Sequence, residues 1–93
     1  MSFAILFKIA LKWEGITQHE FATERNLNPV SVNHFLTGRS TSHSVGRHME
    51  RYATKNLAEM VGFLQSRITS DQKLYLETCV KSAYYEHMKN IRR

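Results

Sequence analysis

The sequence predicts an all-α fold of five to six helices that ends in a long helix. Segments with the alternating pattern of β-strands are nearly absent from the 93 residues. Apolar residues instead recur at the three- and four-residue spacing that places them along one face of a helix. Several segments also begin with a helix-capping residue or end at a glycine. The pattern therefore favours helices along the whole chain.

The first predicted helix runs over residues 3–14 and stops at Gly15. Ile5 and Ile9 fall outside its main apolar face, so we expect the helix to be covered on more than one side. The main face consists of Phe3, Leu6, Phe7, Ala10 and Trp13.

A short second helix is predicted over residues 18–25. Thr17 is a good N-cap, and Glu20 three positions later completes a capping box. Asn26 follows at the point where the chain must turn, and Asn tolerates a left-handed backbone better than most residues. We therefore expect a tight turn at Asn26.

The third predicted helix follows this turn directly. Asn28 caps it and Pro29 takes its first position, where a missing amide hydrogen costs nothing. The helix runs to about Thr37 and ends at Gly38. Two short helices separated by a few turn residues, each with its own start signal, are typical of a helix-turn-helix, whose second helix fits the DNA major groove.

Three more helices are predicted in the rest of the chain. Ser44 is expected to cap a fourth helix over residues 44–55, and a fifth covers residues 57–67. Ser70 and Asp71 open a last, long helix that runs to about residue 91. Its apolar stripe consists of Leu76, Cys79, Val80, Ala83, Tyr84, His87, Met88 and Ile91.

Composition places mild limits on function. The formal charge is +5 and the pI about 9.7, which favours an anionic partner such as nucleic acid, although no dense basic run exists. Cys79 is the single cysteine, which indicates a reducing compartment. We see no leader peptide and no run near the roughly 18 apolar residues of a membrane span. We therefore expect a cytoplasmic protein with no membrane partner.

One pattern within residues 15–45 runs without a gap through Gly15, Ile16, Thr17, Gln18, Phe21, Ala22, Asn26, Leu27, Val32 and Gly38. It resembles the pattern of the lambda-repressor-like (Cro/Xre) family of phage and bacterial regulators, except that Asn26 stands where the family has its turn glycine. Leu11 and Leu36 stand where family members often carry an Arg–Glu ion pair, and an apolar replacement on both sides can be neutral or stabilising.

The resemblance implies a sequence-specific, double-stranded DNA-binding transcriptional regulator, expected to be a phage or mobile-element repressor. Gln18 would bind a phosphate at a helix N-terminus, and Arg39 would contact the phosphate backbone. Asn33 or His34 would hydrogen-bond base edges, and Val30 would contact a thymine methyl group. The full predicted DNA-binding set is Thr17, Gln18, Asn28, Val30, Ser31, Asn33, His34, Thr37 and Arg39. The alternative is an antirepressor-like protein of the same fold that regulates by binding another protein.

The last helix leaves two arrangements open. Residues 1–68 are predicted to form the helix-turn-helix domain, and residues 69–93 a C-terminal helix that either folds back on this domain or pairs with a second copy. Pairing is favoured because helix-turn-helix repressors commonly bind DNA as dimers. The predicted dimer interface consists of Leu76, Val80, Ala83, Tyr84, Met88 and Ile91.

Residue patterns for other chemistry are weak. His43 and His48 are five positions apart, which is not the spacing that places two metal ligands on one helix face. Cys79 lies in an apolar stripe, where an inert buried thiol is expected. No glycine-rich phosphate loop is visible. We therefore predict no metal, no cofactor and no enzymatic activity.

Overall fold

The computed structural model describes residues 2–39 and 43–91, and these residues form five α-helices and no strand. The all-α class predicted from the sequence is confirmed. The helices are α1 (Phe3–Glu14), α2 (Gln18–Glu24), α3 (Pro29–Leu36), α4 (His43–Leu64) and α5 (Ser70–Lys89).

The first three helices begin and end at the predicted signals. Gly15 ends α1 in a left-handed conformation with φ of 78°. The capping box of α2 is complete, since Thr17 Oγ1 accepts from the Glu20 amide and Glu20 accepts from the Thr17 amide. Asn26 has φ of 54°, as the predicted turn requires, and Asn28 Oδ1 accepts from the Val30 amide at 2.8 Å.

The prediction of two separate helices over residues 44–67 is wrong, because α4 is one helix of 22 residues. Asn56, placed at the expected break, is 3% exposed and its amide donates to the Tyr52 carbonyl one turn earlier at 3.0 Å. With its side chain bonded to its own helix, Asn56 does not interrupt it. Ser44 lies inside the first turn rather than at the N-cap, because α4 begins at His43; residues 40–42 lie outside the described part.

The start of α5 agrees with the prediction, since Ser70 is its first residue. Thr69 is the N-cap, and Gln72 completes a second capping box. The helix ends at Lys89, and Ile91 beyond it is 6% exposed.

The buried apolar residues form one core that includes residues of all five helices. Phe35 of α3 contacts the rings of Tyr84 and His87 near the end of α5. A side chain at Gly46, near the start of α4, would also meet the Phe35 ring. The start of α4 and the end of α5 therefore lie together at α3, so these two long helices run in opposite directions.

The predicted dimer stripe of α5 packs inside its own chain. Val80, Tyr84 and Ile91 are 0%, 3% and 6% exposed and belong to the core. Leu76, Ala83 and Met88 are half-buried against the same core. The stripe is therefore a core face of the monomer rather than a surface open to a second copy. The predicted domain boundary falls in the short α4–α5 connection, and both sides of it share this core.

Two buried tyrosines differ in how their hydroxyls are satisfied. The Tyr52 hydroxyl donates to Glu14 Oε1 at 2.9 Å. The Tyr84 hydroxyl has no hydrogen-bond partner among the described residues. Burial, and then the Glu14 carboxylate, raise the pKa of Tyr52 above its ordinary value of 10.0. Burial, and then the nearby Glu50, raise the pKa of Tyr84 as well.

We expect phenylalanine to have opposite effects at the two positions. Tyr52→Phe removes a hydrogen bond to a charged acceptor and should lower the free energy of unfolding by about 1.5 kcal/mol. Tyr84→Phe removes an unpaired buried hydroxyl and should be neutral or stabilising by up to about 1 kcal/mol. Urea unfolding at pH 7 measures both. Equal losses at the two positions would contradict the difference in hydrogen bonding.

The same tyrosines predict a loss of stability in alkaline solution. Because their folded pKa values are raised, the unfolded chain releases the phenolic protons first, from about pH 10. The free energy of unfolding is therefore independent of these two groups below about pH 10 and falls as the pH rises beyond it. Tyr52→Phe should reduce this slope in urea unfolding measured from pH 9 to 11. An unchanged slope would show that Tyr52 does not contribute to it.

Candidate nucleic-acid interface

The turn between α2 and α3 is closed by backbone hydrogen bonding and by the core. The Leu27 amide donates to the Ala22 carbonyl at 2.8 Å, across the left-handed Asn26. Phe21 and Ala22 of α2 are fully buried, and Leu27 is half-buried against the core. These contacts hold α2 and α3 in a fixed relation, and the two helices pack against each other.

One face of α3 is anchored in the core. Val32 and Phe35 are fully buried. The Phe35 ring lies edge-on to Phe3 at 6.1 Å between centroids and stacks on Tyr84 at 6.0 Å. His87 Nε2 lies 2.6 Å from the Phe35 carbonyl oxygen, and since a carbonyl only accepts, the ring nitrogen donates. The last turn of α3 is thus bound to α5 through both a ring and a backbone group.

The opposite face of α3 carries the residues predicted to contact bases. Val30 is 58% exposed, and Asn33 and Thr37 are exposed. Ser31 and His34 are half-buried. The division between an inner and an outer face of α3 therefore agrees with the sequence pattern.

Asn33 is held in place by Gln18. Gln18 Nε2 donates to Asn33 Oδ1 at 3.4 Å, which joins two predicted site residues that are 15 positions apart. The bond uses the Asn33 oxygen and leaves the Asn33 amide nitrogen to donate outward. An Asn that reads adenine donates and accepts at once. The Gln18 bond occupies one of the two lone pairs of Asn33 Oδ1, so the amide hydrogens are the groups of Asn33 best placed to meet a base.

Three other predicted site residues have structural bonds. Thr17 and Asn28 use their side-chain oxygens as N-caps, so they fix where α2 and α3 begin. The Thr37 hydroxyl donates within α3 to the Asn33 carbonyl at 3.0 Å and approaches the His34 carbonyl at 3.3 Å. In the structure these three side chains therefore stabilise the ends of α2 and α3.

The charge of this unit is balanced. Residues 17–39 contain Arg25 and Arg39 against Glu20 and Glu24, which gives a net charge of zero. Arg25 lies over the Phe21 and Tyr52 rings at 4.5 and 4.7 Å and contacts Glu24 at 3.5 Å, so it is committed to the fold. Arg39 is exposed directly after α3. It is therefore the cation of this unit best placed to meet an anion.

The structure adds two supporting residues that sequence reasoning did not single out. The sequence places His87 on the apolar stripe of α5, but nothing in it reveals the hydrogen bond to α3. Gly46 allows the Phe35 ring and the Tyr84 hydroxyl to approach α4. Both residues support α3 from other helices, so local patterns contain no signal for them.

Other kinds of site are not seen in the described residues. Within residues 2–39 and 43–91 no three His, Cys, Asp or Glu side chains are grouped so as to hold a metal ion. None of the helices in this part of the chain combines the length and apolar character needed to cross a membrane. No model of a known protein family, no curated protein and no solved structure matches this chain.

Proposed function

We propose that this protein is a sequence-specific, double-stranded DNA-binding regulator of the lambda-repressor-like helix-turn-helix class, acting in the cytoplasm as a homodimeric phage or mobile-element repressor. The observation that carries this proposal is the two-faced α3. Val32 and Phe35 lock one face into the core, while Val30 and Asn33 stand outward on the other. A short helix held rigidly with a polar and apolar outer face suits the major groove.

Asn33 supplies the most specific part of the proposed readout. Its oxygen accepts from Gln18, so its amide donates to an acceptor on a base edge, such as guanine O6 or N7 or thymine O4. Val30 at the start of α3 suits a thymine methyl group. The hydrogen bond between them thereby links Gln18, proposed to contact the DNA phosphate backbone, with Asn33, proposed to contact a base.

Affinity for the phosphates is proposed to come from the start of α2 and from Arg39. At the start of α2 the Gln18 and His19 amides would attract phosphate oxygens. At the start of α3, Pro29 has no amide hydrogen and the Val30 amide already donates to Asn28. Arg39 follows α3 and is exposed. Because residues 17–39 have no net charge, we expect few phosphate contacts and modest non-specific affinity.

Binding of the purified protein to genomic DNA fragments, followed by titration of the selected site, tests the proposal. If about four phosphates are engaged per half-site, log affinity per half-site should fall with log salt at a slope near −3.6. Arg39→Ala should weaken all sequences equally and make the slope less steep by about 1. Asn33→Ala should relax the preference at one base pair and cost about 1 kcal/mol there, the typical value of a single hydrogen bond.

Lys73→Ala is the matched control, because it removes the same charge from the first turn of α5 rather than from the end of α3. Lys73→Ala should leave the DNA sequence preference unchanged, and it should change the slope of log affinity against log salt by much less than Arg39→Ala does. Absence of any sequence preference at moderate salt would remove the DNA-binding proposal. The antirepressor-like alternative, in which the same fold binds a protein, would then take its place.

A further inference from the structure

A groove between α4 and α5 has no role in the proposed DNA contact. Its volume is about 690 Å³, within the range of about 300–1,000 Å³ that is typical of small-molecule sites. Gly46 lies where α4 meets Phe35, and Gly62, which lines the groove, is sixteen residues further along the same helix. At about 1.5 Å per residue, this places the two glycines about 24 Å apart. A molecule bound beside Gly62 would therefore leave the outer face of α3 open.

The floor of the groove is apolar where it approaches the α4–α5 connection. Ala58, Gly62 and Ile68, which we call the apolar floor, line this part, and all three are half-buried. The small side chain of Ala58 and the absence of one at Gly62 leave space above them. A Cβ at Gly62 would meet Ile68 at 3.8 Å, so Ile68 bounds this space beyond the end of α4. The apolar floor can therefore take an apolar group of a ligand.

The half of the groove nearer α3 has balanced charge. Because α4 and α5 run in opposite directions, Arg51 of α4 lies toward the same end as Lys81 of α5. Glu50 and Glu77 line this half as well. Two cations and two carboxylates leave it with no net charge, so this half favours neither an anion nor a cation.

The half of the groove around the apolar floor has a surplus of positive charge. Three cations line it from α4, the connection and the first turn of α5, and we call them the cationic rim: Lys55, Arg67 and Lys73. The acid in this half is Glu59, so the net charge is three minus one, or +2. All three cations are exposed, and none forms an ion pair within the described part of the chain. An anion above the apolar floor would therefore meet cations that no carboxylate already neutralises at close range.

We propose that this half of the groove binds a small amphipathic anion, a carboxylate with a compact apolar body that lies on the apolar floor while the cationic rim binds its oxygens. An apolar surface with a few charged groups that fix the orientation of the ligand is the usual composition of a small-molecule site. Charged Lys and Arg side chains form strong hydrogen bonds to carboxylates. A helix of a partner protein would need apolar anchors over about 10 Å, at i, i+3, i+4 and i+7, whereas Ala58 and Gly62 are about 6 Å apart along α4. The length of the floor therefore favours a small molecule.

The inference does not rest on DNA binding and is tested without DNA, by adding naphthoate to the isotopically labelled full chain and recording amide NMR spectra at pH 7. Naphthoate should shift the amide signals of the apolar floor and of Lys73, with a dissociation constant of about 0.1–1 mM for a ligand of this size. Naphthylmethanol has the same rings without the charge, and its dissociation constant should be about tenfold higher or more. Acetate has the charge without the rings and should cause no comparable shifts.

Lys73→Glu changes the net charge around the apolar floor from +2 to zero and should raise the dissociation constant of naphthoate about tenfold. An acid in the first turn of α5 is compatible with the helix dipole, so circular dichroism should show an unchanged helix content. Lys81→Glu is the matched control, because it makes the same change on the same helix in the balanced half of the groove. Salt screens charges at that separation, so the constant should stay within about threefold.

Three results would overturn the proposal. They are equal binding of naphthoate and naphthylmethanol, shifts that are absent or lie outside the groove at about 5 mM naphthoate, and an effect of Lys73→Glu no larger than that of Lys81→Glu. A chain that selects a DNA sequence but does not bind naphthoate would overturn this site alone and leave the DNA-binding proposal in place.

Discussion

Phe35→Ala is expected to lower the free energy of unfolding by about 3–5 kcal/mol, the range for truncating a buried aromatic residue. Phe35 is fully buried, and its ring packs against Phe3, Tyr84 and His87. Removing it leaves a cavity where α1, α3 and α5 meet. A domain of this size has only about 5–15 kcal/mol to lose. Urea unfolding followed by circular dichroism measures the change.

Val30→Ala is the control for this prediction, since it truncates an apolar residue of the same helix on its exposed face. Its effect on stability should stay within about 0.5 kcal/mol. If Phe35→Ala cost no more than Val30→Ala, α3 would not be anchored through Phe35. Val30→Ala should weaken DNA binding more than Phe35→Ala does, because Val30 belongs to the proposed contact face and Phe35 does not. DNA binding is compared at low temperature, where both variants stay folded.

Gly46→Ala is expected to destabilise the protein by about 1–3 kcal/mol, although alanine in a helix normally stabilises relative to glycine. A Cβ at this position would lie 2.7 Å from Phe35 Cε2 and 2.8 Å from the Tyr84 hydroxyl oxygen. Neither group can move freely, because the Phe35 ring also packs on Phe3 and His87. The clash should therefore outweigh the gain in helix propensity.

Gly62→Ala provides the matched comparison within α4. Its Cβ would meet Ile68 at 3.8 Å, which is ordinary van der Waals contact. We expect a gain of up to about 1 kcal/mol there from helix propensity alone. Urea unfolding of both variants should therefore give changes of opposite sign. A stabilising effect of Gly46→Ala would show that α4 and Phe35 are further apart than the structure places them.

Local signals in the sequence were sufficient for the helix ends in the first part of the chain. The capping box at Thr17 and the left-handed Asn26 involve neighbouring residues only, so pattern and structure agree. The residues that the resemblance assigned to base contacts, such as Val30 and Asn33, are exposed on α3, opposite the buried Val32 and Phe35. The prediction of a helix break at Asn56 was wrong, because the Asn56 side chain donates a hydrogen bond to its own helix. The general helix propensity of Asn does not reveal such a bond.

What lies against each helix was decided only by the tertiary structure. The spacing in α5 showed that Val80, Tyr84 and Ile91 would be buried, but not whether by this chain or by another copy. The structure places Tyr84 on Phe3, so the stripe belongs to the monomer core. The Gln18–Asn33 bond, the His87 contact with Phe35 and the close approach at Gly46 likewise join distant positions. Helical periodicity specifies which face of a helix is apolar, whereas the partner of that face depends on how all the helices fill one core.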